Sequence, residues 1–213
     1  MTAPPENISV TIGILALQGC VEPHRKHLLA CGADVLEVRT REDLNNVDGL
    51  IIPGGESTTL LKLLNIFSLE EALINAAKKI PFWGICAGAI LMAKKVTHPE
   101  QTSLALMDIE VERNSYGRQL ESFTTQIEQS TVAFIRAPRI TKLDTSKLDD
   151  IQKYNDDIVF VRQGRHQVST FHPELSQDAP SRFHQEFVQR CLENKIRHNT
   201  RHETMERVTG TSL

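Results

Sequence analysis

The sequence is poor in the features that mark disulfide-rich, metal-bound and membrane proteins. Its 213 residues include only four cysteines, which lie far apart and form no C-x-x-C pair. This spacing argues against a zinc site, a redox pair and a disulfide framework, and it fits a reducing compartment such as the cytoplasm. Every apolar run is far shorter than the roughly 20 residues that a membrane span needs. The first residues lack the basic start and the apolar core of a signal peptide.

An excess of charge of one sign is also missing. The chain has 24 basic and 27 acidic residues, so its formal net charge is −3. Without a strong positive field, neither nucleic acid nor an anionic membrane is an expected partner. Aromatic residues are few, at 5%, but the 40% of hydrophobic and 24% of charged residues are ordinary for a globular protein. We expect one domain over residues 1–196 and a flexible C-terminal tail over residues 197–213.

The first half of the chain alternates short apolar runs with helical patterns. Residues 10–17 are almost continuously apolar, as in a strand that is covered on both faces. Further strands are predicted at 35–38, 49–53 and 81–85, and helices at 24–31, 58–66, 69–79 and 87–96. This alternation predicts an α/β fold with a mostly parallel sheet and helices on both faces.

From residue 106 onward the pattern is rich in strands and has few helices between them. Strands are predicted at 109–113, 123–127, 132–136, 158–162 and 167–170. They favour an antiparallel extension of the sheet. Residues 144–157 are polar and indicate an excursion over the surface, whereas residues 181–196 have the apolar spacing of a closing helix.

The most specific local pattern is Gly84-Ile-Cys86-Ala-Gly88, which lies between a predicted strand and a predicted helix. A side chain on such a turn stands above the sheet, and the two glycines allow a close approach of strand and helix, as in the G-x-S-x-G elbow. A helix N-terminus also favours a thiolate. We therefore interpret Cys86 as a nucleophile. Buried structural roles are expected for the other cysteines, Cys20, Cys31 and Cys191.

A second pattern, His172-Pro-Glu174, follows the predicted strand at 167–170. In an extended chain, residues two apart project from the same face, so the imidazole and the carboxylate can point together. Glu174 could then hold one imidazole nitrogen while the other nitrogen meets a cysteine. Taken alone, such a pair is more often a solvated loop histidine beside a chance acid. We expect His166, which lies outside any motif, to be a surface residue.

A third pattern, Pro53-Gly-Gly-Glu-Ser57, ends a predicted strand. Two glycines let backbone N–H groups turn inward and form an anion hole. A phosphate-binding P-loop would need Gly-Lys-Ser/Thr, and here Glu56 would repel phosphate but could pair with an α-ammonium group. Arg113 and Arg136 could each clamp a substrate carboxylate, although either could be an ordinary ion-pair residue.

Together these residues resemble the class I, triad-type glutamine amidotransferases, and within them the branch of glutaminase subunits of pyridoxal phosphate synthase. The matching strings are Leu15-Ala-Leu-Gln-Gly19, Pro53-Gly-Gly-Glu-Ser-Thr-Thr59, Arg113-Asn-Ser-Tyr-Gly-Arg-Gln119, Phe134-Ile-Arg-Ala-Pro138 and Ser169-Thr-Phe-His-Pro-Glu-Leu175. The resemblance implies a flavodoxin-like three-layer fold. It also implies that the chain hydrolyses L-glutamine and passes ammonia to a barrel-shaped synthase subunit.

The resemblance assigns roles to individual residues. Cys86 would be the nucleophile, His172 the proton shuttle and Glu174 the orienting acid. The backbone N–H groups of Gly55 and Ala87 would form the oxyanion hole. The glutamine pocket would be lined by Gly54, Gly55, Glu56, Arg113, Ile135 and Arg136. No metal and no cofactor are implied, because pyridoxal phosphate is the product of the complex.

Two other functions stay open from the sequence. One is a different cysteine hydrolase on the same scaffold, such as a γ-glutamyl peptidase. The other is a non-catalytic, stress-sensing protein that keeps a cysteine at the elbow but has no need for the His172-x-Glu174 pair.

Overall fold

The structure is a computed structural model, and it describes residues 9–113, 122–143 and 145–209. The strands are β1 (Thr11–Leu15), β2 (Asp34–Val38), β3 (Gly49–Ile52), β4 (Phe82–Ile85), β5 (Ala93–Thr97), β6 (Met107–Glu112), β7 (Phe123–Ile127), β8 (Ser130–Phe134), β9 (Arg139–Leu143), β10 (Asp150–Tyr154), β11 (Asp157–Gln163) and β12 (His166–Ser169). The α-helices are α1 (Val21–Ala30), α2 (Ser57–Ile66), α3 (Glu70–Ala77), α4 (Ala87–Met92) and α5 (Arg182–Thr209).

Ten of these strands form one mixed sheet. Its order is β2-β1-β3-β4-β12-β11-β9-β6-β5, with β10 paired to β11, while β7 and β8 form a separate hairpin. The five strands from β2 to β12 are mutually parallel, and β11 begins the antiparallel part by pairing with β12. The predicted parallel sheet with an antiparallel extension is therefore confirmed, and the arrangement is that of a flavodoxin-like α/β fold.

Two hydrophobic cores cover the two faces of the sheet. Leu50 and Ile52 of β3 point into one core, which also takes buried residues of α2, α3 and α4. Ile51, between them, points into the other core with Leu28 of α1 and Phe187 of α5. Because the strands are buried on both faces, they are apolar throughout, which is why β1 and β3 could be recognised from composition alone.

The helix predicted over residues 87–96 is wrong in its second half. Helix α4 ends at Met92, and β5 begins at Ala93 and pairs in parallel with β6. All six residues of α4 are buried, so the segment has no polar face to reveal a helical period. In β5 the exposed Lys94 and Lys95 precede the buried Val96, which breaks strict alternation as well.

The polar segment at 144–157 is also more ordered than expected. Its second half forms β10, which pairs with β11 through a register irregularity between Gln152 and Lys153. Strand β9, which pairs with β6, is not predicted from the sequence either. Most described side chains of β10 are only half-buried, so this strand lacks the apolar signal on which the sequence prediction depends.

Helix α5 extends well beyond its predicted end. It continues to Thr209 and thus includes most of the segment for which the sequence predicts a flexible tail. Within the residues that the structure describes, no helix combines the length and the apolar character that crossing a membrane requires.

Candidate active site

The candidate residues meet at the carboxyl edge of the parallel sheet. Gly54 follows β3, Cys86 follows β4 and His172 lies just after β12. Because β3, β4 and β12 are neighbouring parallel strands, their carboxyl ends open at one edge. In open α/β sheets this edge is the usual place for a ligand.

Cys86 occupies the sharp turn that the glycine spacing predicts. Its backbone has a positive φ of 49° with ψ at −99°, a strained conformation for a residue with a side chain. A Cβ atom at Gly88 would lie 2.1 Å from the carbonyl oxygen of Ile52, so no larger residue fits there. The Cys86 amide donates to the carbonyl of Ser169 at 2.8 Å, which ties the turn to β12.

His172 and Glu174 face each other directly. The Nδ1 atom of His172 lies 2.6 Å from Oε1 of Glu174, and both residues are at most 5% exposed. The backbone of His172 is held by Ala133 of β8, which accepts from its amide at 2.7 Å and donates to its carbonyl at 3.2 Å. Both the ring and the main chain of His172 are thus fixed from separate elements.

The electrostatics of His172 connect it to the cysteine. Burial acts to lower the pKa of His172, but hydrogen bonds to Cys86 and Glu174 and their negative charge outweigh it and raise the pKa from 6.5 to about 10. The imidazole is therefore shared between a sulfur and a carboxylate. Once protonated, it stabilises negative charge on the sulfur.

Glu174 is ionised in spite of its burial. Burial acts to raise its pKa, but His24 and His172 more than offset this effect and the pKa lies below its ordinary value. Its second oxygen, Oε2, has no hydrogen-bond partner among the described residues and lies 3.8 Å from Nε2 of the buried His24.

The two amides expected to form an anion hole follow neighbouring strands at this edge. Ala87 is the first residue of α4, and Gly55 follows β3 by three residues. No group in the described part of the chain accepts a hydrogen bond from either amide. A Cβ atom at Gly54 would lie 2.3 Å from Cε1 of His172, so this glycine lets the ring reach its position.

Glu56 and Arg113 lie close together and form an ion pair with each other. The Glu56 carboxylate accepts from the amides of Thr58 and Thr59 and so caps α2. Arg113 lies 3.3 Å from Oε1 of Glu56 and donates to the Thr58 hydroxyl at 2.9 Å. The Glu56 carboxylate, which the sequence suggests could pair with an ammonium group, thus already has Arg113 as its partner.

The remaining pocket residues are on the β8 side. Ile135 is half-buried and Arg136 is exposed with a positive φ of 43°. They follow β8, the strand whose Ala133 forms backbone hydrogen bonds with His172. The string that begins at Arg113 continues through residues 114–119, which lie outside the described residues.

Two nearby residues carry no role in the sequence analysis. The side-chain oxygen of Gln18 accepts from the amide of Glu56 at 3.0 Å and packs against Gly55. Cys20 is half-buried; burial, with smaller contributions from Glu174 and Cys86, raises the pKa of its thiol. Gln18 belongs to a matching string, but nothing local in that string indicates which atom it would hold.

His166 is not the surface residue that the sequence predicts. Its Nδ1 atom accepts from the amide of Phe82 at 3.2 Å, and burial lowers its pKa to about 4. It lies at the start of β12, whereas His172 follows the end of that strand. It is therefore at the opposite edge of the sheet from Cys86.

Comparison with known proteins is consistent across sequence and structure. A profile described as the SNO glutamine amidotransferase family matches residues 14–193. A solved structure titled "Crystal structure of glutamine amidotransferase" superposes with a TM-score of 0.77 at 38% identity, covering 84% of this chain and 98% of that chain.

Two curated relatives are both named pyridoxal 5′-phosphate synthase subunit PdxT. The relative from Desulforamulus reducens is 46% identical over 187 residues, covering 84% of this chain and 98% of its own length. The relative from Oenococcus oeni is 43% identical over 194 residues, covering 88% of this chain and 100% of its own length.

Proposed function

The chain belongs to the SNO glutamine amidotransferase family, and from this membership we propose that Cys86, His172 and Glu174 carry out the hydrolysis of glutamine to glutamate and ammonia. The observation that carries the assignment is the buried His172 imidazole: its Nδ1 atom lies 2.6 Å from the Glu174 carboxylate, and interaction with the Cys86 side chain contributes to its raised pKa. A nucleophile, a base and an orienting acid in this order form the catalytic unit of acyl transfer.

In the first half of the reaction, the Cys86 sulfur attacks the side-chain amide carbon of glutamine. His172 holds the thiol proton and delivers it to the amide nitrogen, which leaves as ammonia. The amide carbon is left bonded to sulfur as a glutamyl thioester. Glu174 keeps the imidazole in one orientation and stabilises its positive charge throughout.

In the second half, water takes the place of the ammonia. His172 removes a proton from the water, and the resulting oxygen attacks the thioester carbon. The carbon–sulfur bond breaks, the sulfur regains its proton from His172, and glutamate is released. One glutamine and one water thus give one glutamate and one ammonia, with the enzyme unchanged.

Both halves develop negative charge on the carbonyl oxygen of the substrate. We assign its stabilisation to the amides of Gly55 and Ala87, and this role is supported by the lack of a hydrogen-bond acceptor for either amide among the described residues. Each such donor typically contributes a factor of about 10²–10³ in rate. Neither a metal nor a cofactor is needed for any step.

For the substrate's amino and carboxylate groups we propose Gly54, Gly55, Glu56, Arg113, Ile135 and Arg136. The Glu56–Arg113 pair offers one charge of each sign at the mouth of the site, and Arg113 is only 12% exposed in its side chain. A zwitterionic amino acid requires this combination of charges. On this view substrate binding exchanges part of the ion pair for contacts with glutamine.

The ammonia supplies pyridoxal 5′-phosphate synthesis, the process for which the curated relatives are named. Their name, synthase subunit, implies a partner subunit. We propose that this partner is a barrel-shaped synthase that receives the ammonia. We also propose a cytoplasmic location, since all four cysteines are free and a reducing compartment keeps them so.

A mixture of this chain with its synthase is expected to release glutamate from free glutamine faster than the chain alone. The two-glycine turn at Gly54 and Gly55 has the backbone freedom to misorient a donor, and a docked partner would fix it. Glutamate release is measured with and without the synthase after co-purification. Equal rates would contradict activation, and preferential cleavage of γ-glutamyl peptides would favour the peptidase alternative.

Replacing Gly54 with alanine is expected to lower kcat by about 100-fold, because the new methyl group would displace the His172 ring by a distance of the order of 1 Å. Steady-state glutamine kinetics provide the measurement. The matched control is Gly164→Ala, at a glycine with a positive φ whose added Cβ would meet nothing within 4 Å. Comparable activity in the two variants would show that the Gly54–His172 contact is unimportant.

A further inference from the structure

Three buried histidines lie behind the proposed triad, and the mechanism above uses none of them. His24 and His27 belong to α1, and His184 belongs to α5. All three are 0% exposed, and Trp83 of β4 packs edge-on against His24 and His184. Buried imidazoles need hydrogen-bond partners, so the tautomer of each ring can be worked out from its neighbours.

The tautomer of His27 follows from a backbone donor. The amide of Ser181 donates to Nδ1 of His27 at 3.0 Å, so this nitrogen carries no proton. The proton is on Nε2, which donates to the main-chain carbonyl of Glu174 at 3.2 Å. His27 therefore holds the backbone of the turn that carries Glu174.

His184 and His24 form a second connection, which ends at the Glu174 side chain. The Ser181 hydroxyl accepts from the amide of His184 and lies 2.6 Å from Nδ1 of the same residue. Nε2 of His184 lies 2.9 Å from Nδ1 of His24. Nε2 of His24 faces Oε2 of Glu174 at 3.8 Å, which is beyond ordinary hydrogen-bond length.

The hydrogen bonds from Ser181 through His184 to His24 can run in two directions, and only one of them suits the Glu174 carboxylate. If Ser181 donates to His184, then His184 donates to His24, and the N–H of His24 points at Glu174. In the opposite direction, the lone pair of His24 Nε2 would face the negative oxygen in a buried, weakly screened setting, where repulsion is strong. In the described part of the chain neither Nε2 of His24 nor Oε2 of Glu174 has another hydrogen-bond partner.

We propose that His24 is a positioning residue for the glutaminase reaction: its Nε2–H, fixed by the Ser181–His184 relay, orients the Glu174 carboxylate that in turn orients His172. This inference rests on the proposed function, because Glu174 matters for rate only if His172 serves Cys86.

The charge state of the relay is consistent with this role. Burial lowers the pKa of His24 to about 4 and lowers the pKa of His184 well below 6.5, so both rings are neutral near pH 7. Neutral rings can pass a single hydrogen-bond direction along the chain, whereas a charged ring would have two donors and no acceptor.

The tautomers can be tested in the unaltered protein. In the full chain labelled with ¹⁵N-histidine, the imidazole nitrogen shifts are expected to identify His24 and His184 as neutral rings protonated on Nε2. A proton on Nδ1 of His24 would overturn the proposal. This measurement does not depend on whether any variant folds.

The kinetic test compares three variants in the presence of the synthase. His24→Leu is expected to lower kcat by about 10- to 100-fold with KM changed by less than about twofold, because only the alignment of the base is affected. His24→Gln, which keeps an N–H that can point at Glu174, is expected to recover most of the loss. Leu28→Ala, a fully buried change one turn along α1, is the matched control and is expected to lower kcat less than about threefold.

The outcomes separate this inference from the proposed function. A His24→Leu rate equal to that of Leu28→Ala, a loss confined to KM, or a glutamine variant no better than the leucine variant would each overturn the positioning role. If Cys86→Ala is inactive while His24→Leu is fully active, only the positioning role fails. If Cys86→Ala remains active, the triad itself is wrong.

Discussion

Replacing Cys86 with alanine is expected to lower glutamine hydrolysis by at least about 10⁴-fold, to the background of the assay. The proposed triad would work as a unit, so loss of its nucleophile would remove nearly all covalent catalysis and leave only what the proposed anion hole and substrate binding provide. The measurement is glutamate release by the variant mixed with its synthase. Sustained release at more than about a hundredth of the normal rate would contradict the assignment of Cys86.

Two further cysteine variants serve as controls for this prediction, one away from the elbow and one at Cys86 itself. Cys31→Ala removes a half-buried cysteine at the end of α1 and is expected to leave turnover unchanged. Cys86→Gly is expected to be as inactive as the alanine variant but no less stable. At a positive φ of 49° glycine relieves strain of about 1–3 kcal/mol. Thermal unfolding of both Cys86 variants distinguishes lost chemistry from lost structure.

The sequence alone predicts the elbow well because its requirements are local. Gly84, Cys86 and Gly88 lie within five consecutive residues. A Cβ atom at Gly88 would clash with Ile52 because the chain turns sharply from strand to helix there, and the apolar run before the turn predicts the strand. His172 and Glu174 are recognised for a similar reason, since their two-residue spacing puts them on one side of an extended chain. Each of these patterns can be detected within about ten residues.

The contact between His24 and His184 could not be predicted in the same way. His24 and His184 are separated by 160 residues, and each lies on a helix where a buried histidine resembles any other core position. Their meeting depends on α1 and α5 packing on the same face of the sheet, which is a tertiary property. The Glu56–Arg113 pair is a similar case, because both residues were identified but their contact was not.

The errors in the fold prediction have a common physical cause. Periodicity identifies a segment only when one face is buried and the other is not. Helix α4 is buried all round, and β10 is half-buried along most of its length, so neither shows its period. The parallel strands β1, β3 and β4 can be predicted without periodicity, because each is a short apolar run that ends at a glycine-containing turn.

Replacing Glu174 with glutamine is expected to lower kcat by about 10³- to 10⁴-fold with little change in KM, since the carboxylate contacts the base and not the substrate. If the new amide nitrogen faces His172, it donates to Nδ1 and forces the imidazole proton onto the nitrogen next to Cys86. The base then cannot accept the thiol proton. If the amide is turned the other way, its nitrogen meets the N–H of His24 instead.

Either orientation of glutamine also removes the negative charge that raises the pKa of His172. That pKa is expected to fall from about 10 toward its ordinary value, which can be followed by NMR of the ring as pH is varied. Folding is expected to be little affected, because a neutral amide is less costly to bury than a carboxylate. An unchanged His172 pKa with an unchanged rate would show that Glu174 neither orients nor charges the imidazole. The catalytic unit would then have to be reduced to Cys86 and His172.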